Sequence, residues 1–247
     1  MRNKITIIVP CYGDNAYMWE CYESIISQEY NDYRIIFAND NTEDTTFFRE
    51  IEEMYKDEKI TVFHNKERTS AVGAIHNALM SVEHDDEDII MLVDGDDKLI
   101  TGTLQIVNRV YNEKKPLLTY GNFVSSIQLH GGANKVSEKD YNNIRNTGFF
   151  LHHLRTFKWK AYKELLKQDP EVDALKHKGK FYCIAGDVAM MNALGEIVGY
   201  NNIEFIEERI YWYRIHEKND NATYDGRLQQ VYAENVINRQ KKFETKF

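Results

Sequence analysis

Four short apolar runs, at residues 5–9, 33–38, 60–63 and 88–93, are separated by three stretches whose apolar residues recur at helical spacing. In 15–28, Met18, Tyr22 and Ile25 share one helical face. The stretches 43–56, with Thr42 as the expected N-cap, and 69–82 read the same way. Strands alternating with helices need crossover connections, so an α/β fold is expected, with a mostly parallel sheet flanked by helices on both faces. Ligands of such sheets bind beyond the carboxyl ends of the strands. The acidic run 83–88 (EHDDED) precedes a strand, at the opposite edge, and reads as a solvated loop.

From residue 117 the pattern loosens. "LLTYGNFVSS" (117–126) reads as an extended strand and "GGANKVSEKDYNN" (131–143) as a loop. Helices are expected at 160–167 and 186–198, the second with Val188, Met191, Leu194 and Val198 on one face. "IEFIEERIYWYRI" (203–215) reads as two short strands around Glu207 and Glu208, and 225–244 as a polar helix. With no repeat, no linker and only 3 prolines, one domain over 1–247 is expected.

Lys and Arg number 31 against 39 Asp and Glu, and the formal charge of -8 disfavours nucleic acid as a partner. A small phosphate-bearing ligand held by a metal and local cations is compatible with it. Cys11, Cys21 and Cys183 are odd in number and lack CxxC spacing, so neither a disulfide framework nor a zinc site is expected. The N-terminal apolar stretch is broken by Thr6 and stopped by Pro10, too short for a signal segment. No stretch approaches membrane-spanning length. A soluble cytoplasmic protein is expected, with peripheral attachment to a membrane left open.

The chemistry centres on "IIMLVDGDDKLI" (89–100), where a buried-strand pattern runs into Asp94, Gly95, Asp96 and Asp97. Clustered carboxylates repel and hold protons unless a cation lies between them. Asp-Gly is also a common turn dipeptide, so a plain turn stands beside the reading of a divalent-metal site. "VPCYGD" (9–14) and "ANDNTEDT" (38–45) end the first two strands. Tyr12 there can stack on a base, or serve as a partly buried core aromatic; Asp40 can accept from a base N–H. Lys66 and Arg68 precede a helix and suit phosphate oxygens. Neither a P-loop nor a GxGxxG loop is present.

Taken together, these stretches resemble the family 2 glycosyltransferases, of GT-A fold, over most of the chain. "IIVPCYGDNAYMWECYESIISQEYNDYRIIFANDNTEDT" is similar to that family's opening, including Ser24-Ile25, Gln28 and Tyr30. "HNALMSVEHDDEDIIMLVDGDD" is similar to its second block, ending in the DxD. The resemblance implies that Asp40 contacts the base, Asp94 lies near the ribose and Asp96 binds Mn²⁺ or Mg²⁺. Pro10, Tyr12, Asn77 and Gly95 fall on the nucleotide-sugar side with Lys66 and Arg68. Asp97 is left between a supporting role beside the ion and a helix-capping role. In "CIAGDVAMM", Asp187 takes the family's general-base position, with Gly186 where Glu is common; a carboxylate that merely complements the helix dipole is the alternative. "YWYRIHEKNDNAT" (211–223) resembles the segment whose His reaches the metal and whose basic residue meets the diphosphate, here His216 and Arg214. At the second strand, Asn39-Asp40 replaces paired acids and Asn41-Thr42 replaces Gly-Ser. The basic, aromatic "HHLRTFKWKAY" (152–162) is placed beside the acceptor, with a packed surface helix entry as the alternative.

The resemblance thus implies a nucleotide-sugar-binding half (1–120), an acceptor-side half (121–224) and a C-terminal helix (225–247). It implies inverting, metal-dependent transfer of one sugar, with a UDP-linked donor, to a saccharide or other hydroxyl acceptor in glycan synthesis. The QxxRW motif of processive synthases is absent. A non-catalytic nucleotide-sugar-binding scaffold is the main rival. A DxD-type phosphatase ranks lower, because its nucleophile lies on the first strand.

Overall fold

The computed structural model of the protein describes residues 2–13, 15–55, 59–127, 132–217, 219 and 223–247. Asp14, Lys56 of the expected helix 43–56, Gly131 of the expected loop, and Lys218 and 220–222 of the stretch 211–223 lie outside the described residues.

The first half alternates as its periodicity requires: β1 (Ile5–Cys11), α1 (Asn15–Ile26), β2 (Tyr33–Asn39), α2 (Thr46–Met54), β3 (Ile60–His64), α3 (Ser70–Met80) and β4 (Ile89–Leu92). Then follow β5 (Lys98–Leu99), α4 (Thr103–Lys114), β6 (Leu118–Ser125), α5 (Glu138–Tyr141), β7 (Arg155–Lys158) and α6 (Trp159–Gln168). The chain closes with β8 (Lys176–His177), β9 (Lys180–Phe181), α7 (Gly186–Val198), β10 (Ile203–Tyr213) and α8 (Tyr224–Asn238). Among the described residues, no helix is long and apolar enough to cross a membrane.

One eight-stranded sheet runs β3-β2-β1-β4-β7-β6-β10-β5. All its strands except β7 and β5 point the same way. Its faces are covered by two apolar layers. One packs around Phe37, Phe47 and Met18 beneath α1 and α2; the other packs around Val72, Phe157 and Leu194 beneath α3, α6 and α7. The strands β1, β2 and β4 are buried on both faces, which is why they read as continuous apolar runs rather than alternating ones.

Three local expectations are corrected. Helix α2 starts at Thr46 behind Thr45. Thr42 instead takes a hydrogen bond from Gly13 N–H on its hydroxyl and gives its own N–H to Asn39 Oδ1. Within segment 203–215, residues Ile203–Tyr213 form one strand, β10, whose register against β6 shifts between Ile206 and Arg209, so Glu207 and Glu208 mark an irregularity and not a break. Helix α7 keeps its expected span and face, and is buried on every side from Val188 to Val198. Segment 152–162 is not a surface helix entry alone: residues Arg155–Lys158 form the buried strand β7, antiparallel to β4 at the centre of the sheet, and α6 begins only at Trp159.

The run 83–88 is also less solvated than expected. Asp88 is buried beside Lys4, while Glu87 and Asp86 meet Lys160 and Lys163. The His84 ring stacks on Trp159 at 4.4 Å, takes a hydrogen bond from Arg34 on Nδ1 and gives one from Nε2 to the Leu79 carbonyl. Burial, then the Arg34 charge, lowers its pKa to about 4. As pH falls from the ordinary histidine value towards 4, the unfolded chain binds a proton that the folded chain refuses, so acidification destabilises the fold. His84→Gln should lower Tm at pH 7.5, and its deficit relative to wild type should shrink towards pH 4.5. A deficit that stays constant across that range would contradict the neutral, buried role.

Candidate active site

The carboxyl ends of β1, β2 and β4 lie at one edge of the sheet. Because β7 runs against β4, with Leu92 opposite Arg155, its amino end and the residues before it reach that same edge. The acidic loop stays tied to β1 beyond the strand, with Val93 N–H on Ile8 O and Gly95 N–H on Pro10 O at 3.2 Å. A Cβ on Gly95 would stand 2.9 Å from Pro10 O, so only glycine lets the loop approach this closely. Pro10 thus builds the loop's footing through its carbonyl.

The three acids divide. Asp97 points inward, 1% exposed, and accepts the Arg214 backbone N–H at 2.7 Å. Burial, followed by the Asp94 and Asp96 charges, raises its pKa well above the carboxylate range. Asp96 faces outward, its Oδ2 2.9 Å from His216 Nε2. Asp94 is half-buried, its Oδ2 3.8 Å from His153 Nδ1. Burial first, then Asp96 and Asp94, pushes up the neighbouring Cys11 thiol, which stays protonated. A simple solvated turn would not direct three carboxylates to three environments.

Arg214 is anchored behind this loop. Its Nε donates to the Asp96 carbonyl at 2.7 Å and Nη2 to Glu20 Oε2 at 2.8 Å, with its guanidinium 4.1 Å from the Tyr17 ring. That contact is the main reason the Glu20 carboxyl sits below its usual range. Arg214 therefore braces the acidic loop from behind.

On the base side, Tyr12 is 53% exposed and lies 3.8 Å beneath the Arg68 guanidinium, an aromatic–cation stack available to a ligand. Lys66 is exposed beside Arg68. Asp40 is 3% exposed, and its Oδ1 accepts from Thr69 N–H (2.7 Å), Thr69 hydroxyl and Asn65. Its Oδ2 accepts Ser70 N–H at 2.8 Å. It thus satisfies orphan N–H groups at the start of α3, which leaves one lone pair of Oδ2 outside that network. Asn77 supports the same network, donating to Asn65 Oδ1 at 2.7 Å.

The departures from the family pattern have local reasons. Asn39 is buried, its Nδ2 3.0 Å from His64 Nδ1 and its Oδ1 accepting Thr42 N–H; a carboxylate could not donate to an imidazole acceptor there. Asn41 adopts φ 60°, the left-handed conformation in which Asn substitutes for Gly. At Gly186 a Cβ would stand 2.7 Å from the Val72 side chain, so α7 approaches α3 too closely for Glu.

Asp187, in the first turn of α7, is partly exposed, and its Oδ2 accepts from Arg155 Nη2 at 2.6 Å. The structure therefore brings Asp94, Asp96, Arg214 and His216 together and places Asp187 nearby through Arg155 and His153. Sequence reasoning missed those last two as individuals. The available signal was an arginine in a segment next to aromatic residues, which once buried must find a carboxylate.

Among the described residues, two groupings of potential metal-ligand atoms lie at this edge. One is Asp96 with His216; the other is Asp94, Asp97 and His153, within 4.8 Å of one another. Arg155 Nη2 lies 3.3 Å from His153 Nε2, and a guanidinium can only donate. The proton of the neutral ring is then on Nδ1, facing Asp94, which suits hydrogen bonding better than metal ligation.

A twisted, mostly parallel sheet with an acidic loop and a cation-backed aromatic at its carboxyl edge defines a GT-A nucleotide-binding architecture. Residues 6–169, about two thirds of the chain, match Glycosyl transferase family 2, and the chain belongs to that family. Glycosyltransferase GlyG of Streptococcus pneumoniae serotype 4 is 26% identical over 131 residues, 53% of this chain and 42% of GlyG. The chain spans less than half the length of the curated relatives it matches. Among solved structures, mannosyltransferase PcManGT from Pyrobaculum calidifontis, in complex with GDP-Man and Mn²⁺, superposes with TM-score 0.64 at 18% identity over 98% of this chain and 66% of that one. S. aureus TarS 1-349 in complex with UDP-GlcNAc gives 0.59 at 17% identity, over 97% and 68%.

Proposed function

We propose that the protein transfers one sugar, with inversion, from a UDP-linked donor to an acceptor hydroxyl. The observation that carries this reading is the convergence at one sheet edge of Asp96 with His216, 2.9 Å apart and 120 residues apart in sequence, and of the Arg155-held Asp187. Two donor atoms sharing an octahedral ion at about 2.1 Å lie about 3 Å apart, so this pair fits a divalent cation. A carboxylate with an imidazole suits Mn²⁺ more than Mg²⁺. Held by Asp96 and His216, the ion would offset charge growing on the departing diphosphate. The GDP-Man and Mn²⁺ complex of PcManGT and the UDP-GlcNAc complex of TarS support this class of donor.

The chain's own groups supply the rest. Tyr12 and Arg68 offer a stacking face for the base, and Asp40 holds the loop that presents Lys66 and Arg68 to phosphate oxygens. Asp94 lies where a ribose hydroxyl can be accepted. Asp187 takes the acceptor proton as that oxygen attacks the anomeric carbon opposite the leaving group. The acceptor side falls in 121–224, including His152 and Asp187, and the whole chain acts as one domain. The rival scaffold reading drew on Asn39 and Gly186, both of which have packing reasons.

A panel of UDP- and GDP-sugars, assayed for released nucleotide with Mn²⁺ and with EDTA, tests this reading. Turnover is expected only with the ion, with the transferred sugar inverted by NMR. Nucleotide binding without turnover across the panel would favour the scaffold; a retained anomeric configuration would remove the single-displacement mechanism.

A further inference from the structure

We propose that Arg155 and His153 are positioning residues that hold the Asp187 carboxylate in line and tie it to Asp94 on the donor side. The proposal rests on Asp187 being the base. Asp187, Arg155 and His153 are linked by short polar contacts, and Asp94 stands next to the far side of the His153 ring. Arg155 is 5% exposed, gives Nε–H to the Leu151 carbonyl at 3.1 Å and gives Nη2–H to Asp187 Oδ2 at 2.6 Å. The same Nη2 lies 3.3 Å from His153 Nε2. On its far side, His153 Nδ1 lies 3.8 Å from Asp94 Oδ2.

The direction of each contact follows from the donor inventory. Arg155 cannot accept, so His153 Nε2 must, and the ring's proton is on Nδ1. Burial and the adjacent Arg155 hold the His153 pKa well below its usual value, in keeping with a neutral ring. That ring stacks on Tyr211 at 4.8 Å and 9°, with Tyr213 at 5.4 Å, so it has little freedom to turn away. Yet Nδ1 is buried with no hydrogen-bond partner. Such an orphan is destabilising unless something answers it, and an approach of about 1 Å by Asp94 would do so.

The functional consequence is directional. Arg155 occupies one Asp187 oxygen with a charge-assisted hydrogen bond and leaves the other for the acceptor hydroxyl. A base must be held within a few tenths of an ångström of its proton, and β7, at the sheet centre, is a rigid support. A purely structural ion pair between β7 and α7 would use the same contact but would not act through the Asp187 carboxylate.

A double-mutant cycle separates the two. Nucleotide released from the most active sugar nucleotide of the panel is measured under single turnover for wild type, Arg155→Gln, Asp187→Asn and the double variant. Arg155→Gln should lower the rate roughly 10- to 100-fold in the wild-type background, with UDP–Mn²⁺ affinity and donor KM little changed. In the Asp187→Asn background it should cost less than about twofold, because there is no base left to place. Equal losses in both backgrounds would reduce Arg155 to a structural pair and overturn the proposal while leaving the function intact. Wild-type turnover in Asp187→Asn would instead remove the base, and the proposal with it. Arg155→Lys and His153→Asn run through the same cycle, so a folding failure of Arg155→Gln does not decide the matter. Both should show the same background-dependent loss at smaller size, and additive losses would count against the path.

Discussion

Asp187→Asn should lower sugar transfer by roughly 10²–10⁴-fold, the range for removing a positioned base, while UDP–Mn²⁺ affinity stays near that of wild type. The amide keeps the shape of the carboxylate and can still accept from Arg155 Nη2, so β7 and α7 remain linked. What it cannot do is take the acceptor proton. The proposed ion site, Asp96 with His216, lies on loops after β4 and β10, and the proposed stacking face comes from Tyr12 and Arg68, so neither includes Asp187. Calorimetry with UDP and Mn²⁺, beside a rate measurement, separates the cases. A parallel loss of nucleotide affinity would make Asp187 a donor-side or structural residue, and retained transfer would end its role as base. A low rate with a normal Tm and normal affinity is the expected pattern.

Much of the nucleotide-binding half was legible because burial and periodicity agreed there. Strands β1, β2 and β4 are apolar runs buried on both faces, and α1 and α3 fall within two residues of their expected spans. Strand β7 was not legible. Its residues Arg155, Thr156, Phe157 and Lys158 are all buried, but three of the four are polar and each depends on at least one partner from a distant segment. Thr156 meets the Tyr111 and Thr119 hydroxyls, Lys158 the Glu87 carbonyl and Arg155 the Asp187 carboxylate. No local pattern announces a strand whose polar groups are satisfied by tertiary contacts. The same limit hid the path from Asp94 to Asp187. Its members were visible as residue types, but their meeting depends on β7 running antiparallel to β4. The wide burial of α7 was hidden differently: Glu196, which would signal an exposed face, is paired with buried Arg145.

Asp96→Ala should abolish the Mn²⁺-dependent part of UDP binding, weakening it by at least roughly 10²-fold, while leaving Tm close to wild type. The fold is insulated from this change because the loop is held by other atoms. Arg214 Nε bonds the Asp96 backbone carbonyl, which alanine keeps, and Asp97 and Gly95 provide the remaining ties. In EDTA, wild type and variant should bind UDP about equally, since the Tyr12–Arg68 face is untouched. His216→Ala should show the same metal-dependent loss, because its Nε2 completes the pair with Asp96 Oδ2. Asp97→Asn provides the contrast: it changes a buried acceptor of the Arg214 N–H and should act on stability more than on the ion. Calorimetric titration of UDP across these variants, with and without Mn²⁺, distinguishes the two groupings of ligand atoms. If Asp96→Ala and His216→Ala bind as wild type while His153→Asn loses the metal dependence, the ion belongs with Asp94 and His153, and the proton assigned to His153 Nδ1 is wrong. The contact with Arg155 makes the opposite result the expected one.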